Sequence, residues 1–133
     1  MHKIVVDTNV FISGVLFGGN PQKVIEAWLN KKYIFCLSPE LKAEILNKLQ
    51  GKFLISIYTL QTVEEALETK TEKYIPKKKI LICKDPTDNF LLELAGEAQA
   101  DYLISGDKLV LKLKQYNKTK ILSPKDFLKL LKD

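Results

Sequence analysis

The stretch Ile4-Val5-Val6-Asp7-Thr8-Asn9-Val10-Phe11 joins a continuous apolar run to three polar residues. A β-branched run of this kind predicts a strand that is buried on both faces, as in a parallel sheet covered by helices. A buried charge needs a partner, so Asp7 requires a cation, a metal ion or a helix to cap. Ligands bind at the carboxyl ends of strands in open α/β sheets, which favours a site at Asp7. The alternative, that Asp7 or Asn9 only caps the next helix, stays open from this stretch alone.

The composition is that of one globular domain spanning residues 1–133, with 46% hydrophobic and 28% charged residues. No apolar run approaches the roughly 20 residues that a membrane span requires. The N-terminus enters the first predicted strand directly, without the basic, apolar and small-residue segments of a signal peptide. We therefore expect a cytoplasmic protein.

The residue types that are missing exclude several kinds of chemistry. The net charge is +5 and all 21 basic residues are lysine, so bidentate arginine contacts to phosphate are absent. Lysines can still attract a nucleic-acid backbone, although they also suit any soluble surface. His2 is the only histidine, which excludes serine–histidine, cysteine–histidine and histidine-ligated zinc chemistry. Cys36 and Cys83 lie in predicted strands and are expected to be core thiols.

Apolar segments that read as strands alternate with segments of helical periodicity. The predicted strands are residues 4–6, 33–37, 80–83, 102–104 and 120–122. The predicted helices are residues 10–16, a segment from Asn20-Pro21 to Lys31-Lys32, and residues 40–49, 55–73, 90–98, 109–113 and 125–131. The segment 55–73 could also form two helices, because Thr62 can start a second one. This alternation predicts an α/β protein, a three-layer α/β/α sandwich with a five-stranded parallel sheet.

Carboxylates follow three of the predicted strands. Asp7 follows the first strand, Asp85 and Asp88 follow the third, and Asp107 follows the fourth. The ends of parallel strands lie along one edge of a sheet, so these side chains should converge and repel one another unless a cation neutralises them. Oxygen ligands without histidine favour Mg²⁺ or Mn²⁺. The alternative is that each Asp caps the helix that follows it.

Four motifs together resemble the motif series of PIN domains, a family of metal-dependent ribonucleases that includes the toxins of VapBC-type toxin–antitoxin pairs. They are Val6-Asp7-Thr8-Asn9-Val10, Glu44 in the third predicted helix, Asp85-Pro86-Thr87-Asp88-Asn89, and Ser105-Gly106-Asp107. The resemblance runs from residue 4 to about residue 124. The likeness is greatest to the bacterial and archaeal single-domain, VapC-like branch.

The resemblance implies a five-stranded parallel sheet flanked by helices, related to the flap-endonuclease core. It implies an acidic quartet that binds one or two Mg²⁺ or Mn²⁺ ions: Asp7, Glu44, Asp88 and Asp107. Asn9 and Ser105 would support these ligands, and Asp85 and Asn89 would organise the turn around Asp88. Periodicity alone makes Glu44 a surface residue, whereas the resemblance turns it towards the sheet edge.

The expected function is therefore a metal-dependent endoribonuclease that hydrolyses RNA phosphodiester bonds. As a toxin it would have an antitoxin protein as a partner, and family members commonly form homodimers. The alternative is a catalytically weak PIN-fold module for nucleic-acid binding or RNA processing. A phosphatase is disfavoured because Asn9 stands where that pattern needs a second Asp. The absence of arginine departs from the family and bears on RNA affinity.

Overall fold

The computed structural model describes residues 1–132, which form thirteen elements. The strands are β1 (Lys3–Val6), β2 (Ile34–Leu37), β3 (Glu72–Lys73), β4 (Tyr102–Ile104), β5 (Gln115–Tyr116) and β6 (Thr119–Leu122). The helices are α1 (Thr8–Leu16), α2 (Gly19–Leu29), α3 (Pro39–Gly51), α4 (Ile57–Thr69), α5 (Pro86–Ala98), α6 (Lys108–Lys112) and α7 (Pro124–Leu131).

The six strands form one sheet in the order β3-β2-β1-β4-β6-β5. Each neighbouring pair is parallel except β5 and β6, which form an antiparallel hairpin. Central β1 pairs Ile4 with Phe35 of β2 and Val6 with Ile104 of β4. The α/β sandwich with a mostly parallel sheet is confirmed, with six strands instead of five.

The prediction of a strand at residues 80–83 is wrong. This segment is irregular, and Leu81 is 93% exposed. Side chains of α5 bind its backbone in place of a neighbouring strand: Glu93 accepts from the Ile80 N–H, and Asn89 bonds both the N–H and the C=O of Cys83. The apolar run was misleading because Leu81 and Ile82 face solvent and only Ile80 enters the core, and Cys83 lies in a loop.

The fifth parallel strand is instead β3, in a segment that was predicted to be helical. Helix α4 is one helix that ends at Thr69, and Glu72 and Lys73 then pair with β2. Both residues of β3 are exposed and charged, so they carry no apolar alternation. The hairpin strand β5 was missed because two residues are too few to show an alternation of apolar and polar side chains.

The core covers both faces of the sheet and includes the whole apolar part of β1. Trp28 of α2 packs against Phe11 and Phe35, and its indole N–H donates to the Lys70 carbonyl at 2.7 Å. These contacts join α1, α2, β2 and the residue that follows α4. No helix within residues 1–132 is both long and apolar enough to cross a membrane.

Candidate functional site

Asp7 lies where the central strand β1 passes into α1. Its backbone N–H donates to the carbonyl of Ile104 at 2.9 Å, which continues the pairing of β1 with β4. Its Oδ1 accepts from the Asn9 N–H at 3.3 Å, so Asp7 is the N-cap of α1. The side chain is only 5% exposed. Asp7 is thus a helix cap and also a buried carboxylate at the sheet edge, so the two readings of the sequence do not exclude each other.

Ser105 joins the ends of β1 and β4. Its hydroxyl donates to Asp7 Oδ2 at 2.7 Å and accepts from the Asp107 N–H at 3.1 Å. The residue is completely buried. A single hydroxyl therefore fixes the Asp7 carboxylate relative to the backbone of Asp107.

Asp107 is the N-cap of the short helix α6. Its Oδ1 accepts from the Leu109 N–H at 2.8 Å, and its side chain is partly exposed. The capping role proposed as an alternative for Asp107 is present, while Oδ2 has no hydrogen bond within the described residues.

Asp85 and Asp88 occupy different places at the start of α5, and they follow an irregular segment instead of the predicted strand. Asp85 is the N-cap and accepts from the Thr87 N–H at 3.0 Å. Asp88, in the first turn, is buried and does not cap the helix. Asn89 points to the loop and holds Cys83, so its support of Asp88 is indirect.

Glu44 reaches the site from α3. Ser38 caps this helix by accepting from the Leu41 N–H at 3.2 Å, and Pro39 fits its first turn. The Glu44 side chain is only 17% exposed, lower than a solvated helical glutamate would be. Its carboxylate pairs with Lys48 at 3.3 Å, and Lys48 also donates to Asn9 Oδ1 at 3.3 Å.

The carboxylates affect one another's ionisation. Burial raises the pKa of Asp88 to about 6, with further contributions from the charges of Asp107, Asp85, Asp7 and Glu44. Burial also raises the pKa of Asp7, with smaller contributions from Asp107 and Glu44, while the hydrogen bonds from Ser105 and Asn9 oppose that rise. The four predicted acidic residues therefore lie in one electrostatic field.

The donor chemistry of this cluster fits a hard divalent cation, because all four side chains offer carboxylate oxygens. Across residues 1–132, however, no three or more His, Cys, Asp or Glu side chains are close enough to form a ready metal shell. In the same part of the chain, the Thr8 hydroxyl beside Asp7 is the one buried side-chain polar atom without a hydrogen bond. The four carboxylates therefore repel one another and do not form a closed coordination site. The Ser105 hydroxyl and the Asn9 N–H orient one of them, Asp7.

Two charged residues with specific partners, one of them at the site, were not predicted from the sequence. Lys48 lies one helical turn after Glu44, and this i,i+4 spacing was a signal that could have identified it. Glu93 is buried in an apolar stretch of α5, and a charged residue there signals a specific partner, which is the Ile80 N–H.

A family model described as PIN domain matches residues 3–109, which include every acidic residue discussed above. The chain belongs to the PIN domain family. This match confirms the resemblance found in the sequence. PIN domains are generally nucleases. The uncharacterized protein MJ1680 of Methanocaldococcus jannaschii is 29% identical over 139 residues, covering 95% of this chain and 89% of that protein.

Three solved structures share the fold. The VapBC2 complex of Rickettsia felis, bound to a promoter DNA fragment, includes a chain with a TM-score of 0.60 and 13% identity, covering 90% of this PIN domain and 96% of that chain. A chain of FitAcB of Neisseria gonorrhoeae has a TM-score of 0.55 and 13% identity, covering 91% of this PIN domain and 97% of that chain. The PIN domain endonuclease Utp24 has a TM-score of 0.52 and 20% identity, covering 91% of this PIN domain and 84% of that chain. At these identities the likeness shows the fold alone.

Proposed function

We propose that this PIN domain is a metal-dependent endoribonuclease. The observation that carries the proposal is the convergence of Asp7 and Asp107 through Ser105, with Glu44 and Asp88 in the same electrostatic field. Asp7 and Asp107 follow parallel strands at their carboxyl ends, where ligands bind in such sheets, and acidic side chains that repel one another are suited to a cation. Membership in a nuclease family gives this cation a function.

Asp7, Glu44, Asp88 and Asp107 would hold one or two Mg²⁺ or Mn²⁺ ions. A bound ion would supply a Lewis acid that lowers the pKa of water and offsets charge on the scissile phosphate. Ser105 and the Asn9 N–H orient the Asp7 carboxylate through two hydrogen bonds. Asp85 caps α5 and so sets the position of Asp88.

Lysine side chains would hold the RNA backbone. The chain has a net charge of +5 and no arginine, so its attraction to RNA rests on point charges without bidentate base recognition. We therefore expect cleavage that depends on salt and has limited base preference.

The test is cleavage of labelled RNA with Mg²⁺ or Mn²⁺, with EDTA as the metal-free control. Asp7→Asn and Asp107→Asn should each lower the rate at least about a hundredfold, the scale on which loss of a group that stabilises developing charge is felt. Asp126→Asn is the matched control, because Asp126 is an exposed carboxylate in the first turn of α7. Metal-dependent cleavage that survives both site substitutions would refute the assignment of these residues to the active site. Wild-type protein that binds RNA but never cleaves it would favour the alternative of a PIN-fold binding module.

The toxin role and an antitoxin partner form a second proposal, favoured by the fold likeness to chains of VapBC2 and FitAcB. An antitoxin would cover the acidic cluster or place a basic side chain in it. A short neighbouring reading frame whose product copurifies with the chain and inhibits cleavage would support this role. Light scattering of the chain alone tests the proposed homodimer, and a monomer mass would contradict it.

A further inference from the structure

Lys48 places an ammonium group directly at the acidic cluster. Its Nζ lies 3.3 Å from Glu44 Oε1 and 3.3 Å from Asn9 Oδ1, so it links α3 to the start of α1. In the part of the chain that the structure describes, this is the only salt bridge that involves Asp7, Glu44, Asp88 or Asp107. Lys48 therefore shares its partners with the proposed metal site.

The ion pair between Lys48 and Glu44 is of a kind in which either side chain can readily take another partner. It is an i,i+4 pair on a helix surface, and the Lys48 side chain is 37% exposed. Such pairs contribute little to stability, because both side chains lose freedom and solvent screens them. A cation that binds Glu44 would neutralise the carboxylate that holds Lys48 and would also repel the ammonium group.

We propose that Lys48 is an RNA phosphate-binding residue that Glu44 and Asn9 hold until a divalent ion binds at Glu44. Once released, its flexible four-carbon stem and three N–H donors suit a non-bridging phosphate oxygen beside the acidic cluster. This inference rests on the proposed metal-dependent function and adds a substrate contact and an order of binding. The metal ion binds first, and the phosphate then replaces Glu44 as the partner of Lys48.

Lys42 provides a matched control. It lies on the same helix and pairs with Glu68 of α4 at 3.1 Å, away from the four carboxylates. Lys42→Met and Lys48→Met therefore remove the same charge from the same helix and differ in position. Lys48→Arg keeps the positive charge and tests whether charge alone accounts for the effect of Lys48 on RNA binding.

The experiment measures binding of a fluorescently labelled single-stranded RNA by anisotropy between about 50 and 200 mM salt, with Ca²⁺ or with EDTA, and checks on a gel that the RNA stays intact. One lost phosphate contact lowers the slope of log K against log salt by about 0.7 for a single strand. With Ca²⁺, Lys48→Met should show this decrease and bind RNA several-fold more weakly, whereas Lys42→Met and Lys48→Arg should keep the wild-type slope.

With EDTA, Lys48→Met should lower the slope less than it does with Ca²⁺, because the Glu44 carboxylate then competes with RNA phosphate for Lys48. Equal slopes for Lys48→Met and Lys42→Met with Ca²⁺, or the same decrease with EDTA, would overturn the inference. Binding of Mn²⁺ measured by electron paramagnetic resonance separates the two proposals. If wild type binds no Mn²⁺, the metal-dependent function fails; if it binds Mn²⁺ and cleaves RNA while Lys48→Met keeps the wild-type slope, only the role of Lys48 fails.

Discussion

Replacing Ser105 by alanine tests the link between β1 and β4. The change removes the donor to Asp7 Oδ2 and the acceptor of the Asp107 N–H in a completely buried position. A hydrogen bond to a charged group contributes about 1.5–3 kcal/mol, and a backbone donor that loses its acceptor adds to the cost. We expect Ser105→Ala to lower the free energy of unfolding at pH 7 by about 2–4 kcal/mol.

The loss should depend on pH, because the Ser105 hydroxyl opposes the rise in the pKa of Asp7. Without it this pKa rises further above the unfolded value of 3.8, so the substitution destabilises the folded protein more when the Asp7 carboxylate is ionised. That cost is present at pH 7 and disappears as the pH falls towards the unfolded pKa. Near pH 4 the loss should therefore shrink to about 1–2 kcal/mol, from the neutral hydrogen bonds.

Urea unfolding followed by circular dichroism at the two pH values, in EDTA, measures both losses. Ser56→Ala is the control, since Ser56 caps α4 at an exposed position among neutral partners. This cap should cost about 1 kcal/mol at both pH values. An equal loss for Ser105→Ala at pH 7 and pH 4, or a loss no larger than that of the control, would refute the reasoning.

Three further substitutions test other features by their effect on stability. The pKa of Asp88 is raised to about 6, so its ionised form opposes folding as the pH rises from 3.8 through that value. Asp88→Asn should thus stabilise the metal-free protein by about 1–3 kcal/mol at pH 8 and little at pH 4, as measured by urea unfolding. Asn89→Ala should cost about 1–3 kcal/mol and speed hydrogen exchange of the Cys83 amide, which loses its partner. A Cβ at Gly14 would lie 2.5 Å from Ile25 Cγ1, so Gly14→Ala should cost about 1–3 kcal/mol in a thermal melt.

Each of these three has a control elsewhere in the chain. Asp126→Asn changes an exposed carboxylate and should not stabilise the protein at pH 8. Glu97→Ala removes an exposed contact to the Lys77 N–H and should leave Cys83 exchange unchanged. Gly51→Ala adds a Cβ with no atom within 4 Å and should be neutral or slightly stabilising. A control that matches its test variant would contradict the corresponding assignment.

The sequence predicted the central strands well because burial determines them. Residues 4–6, 34–37 and 102–104 are apolar, and the observed strands β1, β2 and β4 bury most of them. At the sheet margins the same rule fails. The charged pair Glu72–Lys73 forms a strand through backbone pairing alone, while the apolar residues 80–83 do not form one because α5 side chains bind their backbone.

Three of the acidic residues could be located from the sequence because helix and strand ends fix them locally, whereas Glu44 was identified only through the family resemblance. Asp7, Asp85 and Asp107 are each followed within two residues by the amide that they cap. Contacts between distant segments could not be found this way. Ser105 and Asp7 are 98 residues apart, and Lys48 and Asn9 are 39 apart, so only the packed tertiary structure brings them together.

The two margins of the sheet also bear on how the protein avoids self-association. A long, flat, apolar edge strand offers unpaired N–H and C=O groups to another chain and promotes aggregation. Here both margins are strands of only two residues, Glu72–Lys73 on one side and Gln115–Tyr116 on the other. An incoming strand would find little backbone to pair with, and at β3 it would also meet charged side chains. The polar strands that defeat prediction from the sequence thus protect an otherwise strongly apolar sheet from uncontrolled growth.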